Sequence, residues 1–179
     1  AIKGGGDDPT HMKGEEARID LRRQTRPAET RRHFNEIQRR IEAAIEADPV
    51  LKALKAQLRF DITREGLRIM MLDTDARPMF EVGSDKIAPY MERLLRTMAP
   101  LLNEIPNEIT ISGHTDSLPY AGGEQGYSNW ELSADRANAS RKALLDGGFN
   151  SEQLLLVMGA ADRIPLDGTA ADDPRNRRI

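Results

Sequence analysis

The chain has 179 residues, with 26 Lys and Arg against 29 Asp and Glu, and no cysteine. That length fits one domain with a substantial extension, and a net charge of -3 gives no global basis for a nucleic-acid partner. The missing cysteines exclude disulfides, thiolate metal sites and cysteine nucleophiles. No apolar run reaches the roughly 18 residues of a membrane span, and the first residues lack the apolar core of a signal peptide.

Composition changes near residue 66. Residues 1–66 carry 14 basic and 12 acidic side chains and only two aromatics, Phe34 and Phe60; residues 67–179 carry 12 and 17. The polar, aperiodic opening through Gly4-Gly5-Gly6 and Asp7-Asp8-Pro9, residues 1–27, reads as a flexible linker. After Pro27, Phe34, Ile37, Ile41, Ala44 and Ile45 recur at three- and four-residue steps and predict one apolar helix face. Asp48-Pro49 ends that helix and suits the start of another, with Asp as N-cap and Pro in the first turn. Leu51, Leu54 and Leu58 extend the stripe, so residues 28–60 are expected to be linker helices, docked on their own domain or on a partner.

Residues 61–179 then read as the principal domain. A strand is predicted at 67–72, then a helix capped by Ser84 that carries Ile87, Met91, Leu94, Leu95, Met98, Leu101 and Leu102. Residues 108–113 give a second, β-branched strand. Ser128 and Glu131 have capping-box spacing before a helix that stops at Gly147-Gly148. Residues 154–158 predict a third strand, and 172–179 start a further helical turn. Strands joined by helical crossovers place the fold in the α/β or α+β class.

The stretch Gly113-His114-Thr115-Asp116 follows the second strand, where a rigid sheet positions binding groups. Asp116 should lie near the start of the helix bearing Asp135 and Arg136. A carboxylate and a guanidinium on one crevice suit a zwitterionic, amino-acid-like ligand, because the first accepts from an ammonium and the second grips a carboxylate. The spacing equally allows a plain Asp116–Arg136 salt bridge. An acid–base reading of His114 and Asp116, with Ser112, Ser117 or Ser133 as nucleophile, lacks a G-x-S-x-G elbow. His11 and His33 have no ligand spacing, so no metal and no cofactor is expected. The segment Gly122-Gly123-Glu124-Gln125-Gly126 lacks the ending of a phosphate loop and reads as a mobile turn. Arg175, Arg177 and Arg178 read as a solvated basic cluster balanced by Asp172 and Asp173.

Three motifs in order carry a resemblance: Gly113-His114-Thr115-Asp116, Leu132-Ser133-Ala134-Asp135-Arg136-Ala137 and Asn176-Arg177-Arg178-Ile179. Together they resemble the OmpA-like peptidoglycan-binding domain. The runs Leu118-Pro119-Tyr120, Tyr127-Ser128-Asn129-Trp130-Glu131-Leu132-Ser133 and Phe80-Glu81-Val82-Gly83-Ser84 are similar to the B subunit of the proton-driven flagellar stator (the MotB type). The resemblance implies an α+β fold: a mixed sheet with helices packed on one face, preceded by linker helices that control the reach of the domain. It implies a noncatalytic anchor and a homodimer whose ligand is the diaminopimelate stem peptide of peptidoglycan. In that family Asp116 and Arg136 would hold the diaminopimelate zwitterion, with Thr115, Leu132, Ser133, Asn176 and Arg177 at supporting positions. It also implies the periplasmic part of a single-pass inner-membrane protein, joined to a stator A subunit (MotA type) through a membrane helix outside this chain. A further strand is expected after Ile179.

Overall fold

A computed structural model describes residues 9–121 and 125–179, with side chains from residue 27 onward. The opening glycines, Asp7-Asp8 and residues 122–124 of the glycine-rich loop lie outside the described residues. The chain divides into two compact units, residues 1–36 and 37–179. Helix α1 is assigned over Pro9–Ala47, so the helix passes through Pro27 rather than starting after it. Among the described residues no helix is long and apolar enough to cross a membrane.

In the second unit the helical stripe does what its spacing predicts. Ile37, Ile41 and Ile45 are buried and join Leu51 and Leu54 in one core with Met91, Leu94, Leu95, Met98 and Leu102. Residues from Ile37 onward are therefore part of the domain's own core. Asp48 caps the short helix α2 (Pro49–Lys52), its side chain accepting from Val50 and Leu51 N–H, with Pro49 in the first turn. Arg93 Nε donates to Asp48 Oδ2 at 2.7 Å, tying this cap to the next long helix.

Leu58 leaves the stripe. Leu58 and Phe60 alternate inward along β1 (Leu58–Ile62), which pairs antiparallel with β2 (Leu67–Met71). The sequence spacing placed Leu58 on a helix; the two-residue period that starts there overrides it. Helix α3 (Pro89–Leu102) begins at Pro89 with Ala88 as cap, not at Ser84. Ser84 Oγ instead accepts from Lys86 N–H inside a turn, and Ile87 bridges Phe80 ahead of the helix.

β3 (Ile109–Gly113) and β4 (Leu154–Gly159) pair in parallel through α4 (Asn129–Asp146), as a right-sized helical crossover demands. The capping box of Ser128 and Glu131 opens α4, and Gly147 follows its end. Two glycines let α4 lie close on these strands. A Cβ on Gly113 would come within 2.0 Å of the Ser133 carbonyl oxygen, and one on Gly159 within 2.4 Å of Ala134 N. Small residues on α4, Ser133, Ala137 and Ser140, are fully buried at this contact.

The last residues join the two strand pairs. Met71 and Ile179 exchange backbone hydrogen bonds, Asp73 N–H donates to Arg177 O, and His114 and Arg178 exchange a second pair. Arg178 thus bridges Leu72 on one side and His114 on the other, both antiparallel. The result is a mixed sheet in the order β1, β2, residues 177–179, β3, β4, an α+β architecture. Ahead of it, residues 172–179 supply only a single 3-10 turn, Pro174–Asn176, capped by Asp173.

Candidate functional site

The segment that closes the sheet also delivers an arginine. Arg177 projects among three carboxylates: Nε to Asp73 Oδ2 at 2.8 Å, Nη1 to Asp116 Oδ2 at 2.7 Å and Nη2 to Asp75 Oδ1 at 3.0 Å. Asp73 follows β2 and Asp116 follows β3, so the ends of the two strands flanking residues 177–179 converge on one guanidinium. Asp73 and Asp116 are buried; Asp75 is exposed. Asp73 Oδ1 also accepts from Met79 N–H at 2.7 Å, and Asp116 Oδ1 from Leu118 N–H at 3.2 Å. Burial alone would lower the Arg177 pKa, but the hydrogen bonds it donates to the three carboxylates outweigh it and raise it above the ordinary value. One positive charge serves three negative ones here, which leaves a surplus negative field.

The other arginine is placed differently. Arg136, in the second turn of α4, is only 6% exposed. Its Nε donates to Ser84 O at 2.9 Å and Nη2 to Glu81 O at 3.4 Å, and its guanidinium lies 5.0 Å from the centre of the Phe80 ring. These partners are backbone dipoles and an aromatic face, not a carboxylate. The salt bridge that spacing allowed is absent: Asp116 pairs with Arg177. Burial pushes the Arg136 pKa below its ordinary value, opposed chiefly by the field of Asp73, while Arg177 lowers it further and Asp116 acts in the raising direction. Asp116 and Asp73 are therefore near enough to act on Arg136 without bonding to it. A guanidinium stays protonated under such conditions, so this cluster of side chains has a basic end and an acidic end.

The loop facing Arg136 is tied down by aromatics. Tyr120 Oη donates to Gly83 O at 3.0 Å, and its ring sits 5.1 Å from that of Tyr127. Tyr127 Oη donates to Asp135 Oδ2 at 2.7 Å; burial, then this carboxylate, raise the phenol's pKa. Asp135, a candidate for the crevice by sequence, is thus engaged by a tyrosine.

The remaining sequence candidates occupy distinct places. Thr115 is buried, its N–H donating to Ala161 O at 2.9 Å while its hydroxyl has no hydrogen-bond partner among the described residues. Leu132 is buried on α4. Ser133 Oγ donates to Trp130 O and accepts from Ala161 N–H, both at 3.0 Å, so its hydroxyl is used within the fold. Asn176 is 1% exposed; it accepts from Leu166 N–H at 2.8 Å and donates to Ala170 O at 2.7 Å, bracing the loop before it.

The basic cluster is not a solvated face. Only Arg175 fits that reading, paired with Asp173 at 2.7 Å; Arg177 is half-buried, and Arg178 is buried with donations to Asn176 O and Ile164 O. Sequence reasoning missed Asp73 and Asp75, which lie more than a hundred residues from their partner and in no motif; the one available signal was two aspartates crowded between strand and turn. His114 follows directly on β3 and pairs with Arg178. Its Nε2 is 3.3 Å from Ser112 Oγ, its Nδ1 has no partner among the described residues, and burial, then Arg178 and Arg68, push its pKa down to about 4.

A mixed sheet backed by helices, with a carboxylate cluster and a carboxylate-free arginine at its strand ends, defines an α+β domain of the OmpA-like kind. Residues 79–178 match the OmpA family, and the chain belongs to it. It is 47% identical over 178 residues to Motility protein B of Escherichia coli strain K12, a match covering 99% of this chain and 58% of that protein. The chain therefore spans little more than half the length of that relative. Among solved structures it resembles a protein described as MotB-like from Desulfovibrio vulgaris (TM-score 0.66, 20% identity, 84% of this chain and 93% of that one). It also resembles the periplasmic domain of Helicobacter pylori MotB, residues 90–256 (TM-score 0.57, 21% identity, 73% and 80%). At these identities the two structures speak for the fold.

Proposed function

We propose that this chain is the wall-binding part of a flagellar stator B subunit, a noncatalytic anchor that holds the torque-generating unit to peptidoglycan. The observation that carries the reading is the charge separation between Arg136, which has no carboxylate partner, and the three carboxylates around Arg177. Arg136, buried without a carboxylate, receives the carboxylate of a diaminopimelate stem peptide; the surplus negative charge around Asp116 receives its ammonium. The unpartnered Thr115 hydroxyl adds a hydrogen bond to the ligand. Arg177 holds Asp116 in place, and Leu132, Ser133 and Asn176 shape the walls rather than touch the peptide. The 47% identity to Motility protein B favours a motility anchor over a general wall anchor. In the cell the chain sits in the periplasm, homodimeric, attached through a membrane helix to a stator A subunit.

A hydrolase reading has little support in this geometry. The Asp116 carboxylate faces Arg177, and the His114 ring faces Ser112 with a pKa near 4, so no carboxylate orients the imidazole. Co-sedimentation with purified sacculi tests the anchor. Wild type should pellet with the wall, and Asp116→Ala and Arg136→Ala should each stay in the supernatant while keeping the circular dichroism of the fold. Pelleting of both variants would overturn the site. Release of soluble fragments from the wall, lost on His114→Ala, would overturn the noncatalytic reading.

A further inference from the structure

Behind the carboxylates that surround Arg177 stands a buried amide. Gln57, the residue before β1, is 7% exposed, and Leu54, Leu58, Met71 and Met79 line the small cavity it borders. A leucine would suit such walls better, because an amide buried among apolar side chains costs stability unless its hydrogen bonds are made. Here they are made to one short segment. Gln57 Nε2 donates to Leu72 O at 2.9 Å and to Arg77 O at 3.0 Å, while Leu72 N–H donates to Gln57 O at 2.7 Å. The side chain thus grips the turn after β2 at both ends.

The gripped turn carries Asp73 and Asp75. Within it, Arg77 N–H donates to Thr74 O at 3.2 Å and to Thr74 Oγ1 at 3.1 Å, and Asp73 Oδ1 accepts from Met79 N–H at 2.7 Å. Arg77 returns the grip, its Nη1 donating to Ala53 O at 2.6 Å, just after α2. Asp73 Oδ2 then fixes Arg177 Nε at 2.8 Å, and Arg177 Nη1 fixes Asp116 Oδ2 at 2.7 Å. A continuous series of polar contacts leads from residues 53–57 to the carboxylate that receives the ligand's ammonium. Gln57, Asp73 and Asp116 are all buried. A buried group has no water to turn to when its partner moves, so a displacement at one end is felt at the other.

We propose that Gln57 and Arg77 are positioning residues for the wall-ligand site. They hold the 73–77 turn so that Asp73 and Arg177 present Asp116 correctly, and they couple occupancy of the site to the docking of residues 53–57 on that turn. This rests on the wall-binding reading above and names what sets the geometry of its acidic half. The coupling is reciprocal. Loosening residues 53–57 weakens ligand binding, and the ligand, by fixing Asp116, tightens the turn against Gln57.

Calorimetry of the 179-residue chain with a diaminopimelate-containing stem tripeptide tests the positioning. Gln57→Met keeps the volume, removes both donations and should lower affinity about tenfold. Arg77→Ala should lower it about fivefold, and Arg77→Lys, which keeps a donor for Ala53 O, should restore most of the loss. Asn103→Ala is the control: it removes hydrogen bonds to Gly148 and Asn150 at the end of α3, and should lower the urea midpoint with affinity unchanged. Because Gln57 acts through Asp73, Gln57→Met combined with Asp73→Asn should bind within about twofold of Asp73→Asn alone. Hydrogen exchange reads the reverse direction. In wild type the tripeptide should slow the Leu72 and Met79 amides more than that of Phe149, and in Gln57→Met no more than Phe149. Unchanged affinity in Gln57→Met, or additive losses in the double variant, would overturn the positioning role and leave the wall site standing. Should Gln57→Met fail to fold, equal affinities of wild type, Arg77→Ala and Arg77→Lys would overturn it instead. Absence of tripeptide binding by wild type would overturn the wall-binding reading and this proposal with it.

Discussion

Arg177 and Arg136 lie near enough to act on one another, are shielded from solvent to different degrees and have opposite fates. Arg177 is saturated by Asp73, Asp116 and Asp75; Arg136 leans on two carbonyls and the Phe80 ring. A buried charge whose partners are in place holds a structure together, because removing it leaves the partners stranded. A buried charge without a counter-ion is poised for one that arrives from outside. The same side-chain type, a short distance apart, thus builds the site in one case and serves the ligand in the other.

Stability should separate the two first. Arg177→Ala strands two buried aspartates and should cost about 3–5 kcal/mol, read as a lower urea midpoint at unchanged slope. A loss under about 1 kcal/mol would break the distinction. Asp73→Asn keeps the shape and the acceptor from Met79 but weakens the ion pair, and should cost about 1–3 kcal/mol. Arg136→Lys keeps the charge and loses the planar fork. It should change stability by no more than about 1 kcal/mol, yet weaken stem-peptide binding at least about tenfold by titration calorimetry.

A pH-dependent effect lies on the other face of the sheet. His114 has its pKa lowered from 6.5 to about 4, so between those values the unfolded chain binds a proton that the folded ring refuses. Stability therefore rises with pH across that window and is lost as pH falls through it. The loss should be on the order of 1–2 kcal/mol, because the ring is only partly buried. Urea titrations at pH 4.5 and 7 should show it, and His114→Asn should flatten it without touching wall binding.

Much of this was legible in the chain, and the exceptions have physical causes. Strands β2, β3 and β4, the Asp48 cap and the Ser128–Glu131 box follow from local pattern. β1 was hidden because Leu58 is in helical step with Leu51 and Leu54, and only the alternation through Phe60 and Ile62 tells otherwise. Ser84 looks like a helix cap, yet Pro89 sets the first turn five residues later. Asp116 and Arg136 were readable as a pair with complementary charge. That they are not bonded to each other was not, because the deciding partner, Arg177, meets Asp73 across 104 residues of sequence. Ser133 and Asn176 carried motif signal for the same reason that a site residue would, and the structure shows their polar atoms spent on backbone.

The central claim is that Arg136 receives the free carboxylate of the ligand. Calorimetry of the diaminopimelate tripeptide against its form amidated at that carboxylate, each with wild type and Arg136→Ala, tests it as a double-mutant cycle. Amidation should cost wild type at least about tenfold in affinity and cost the variant nothing further. The same loss on amidation in both proteins would contradict the account.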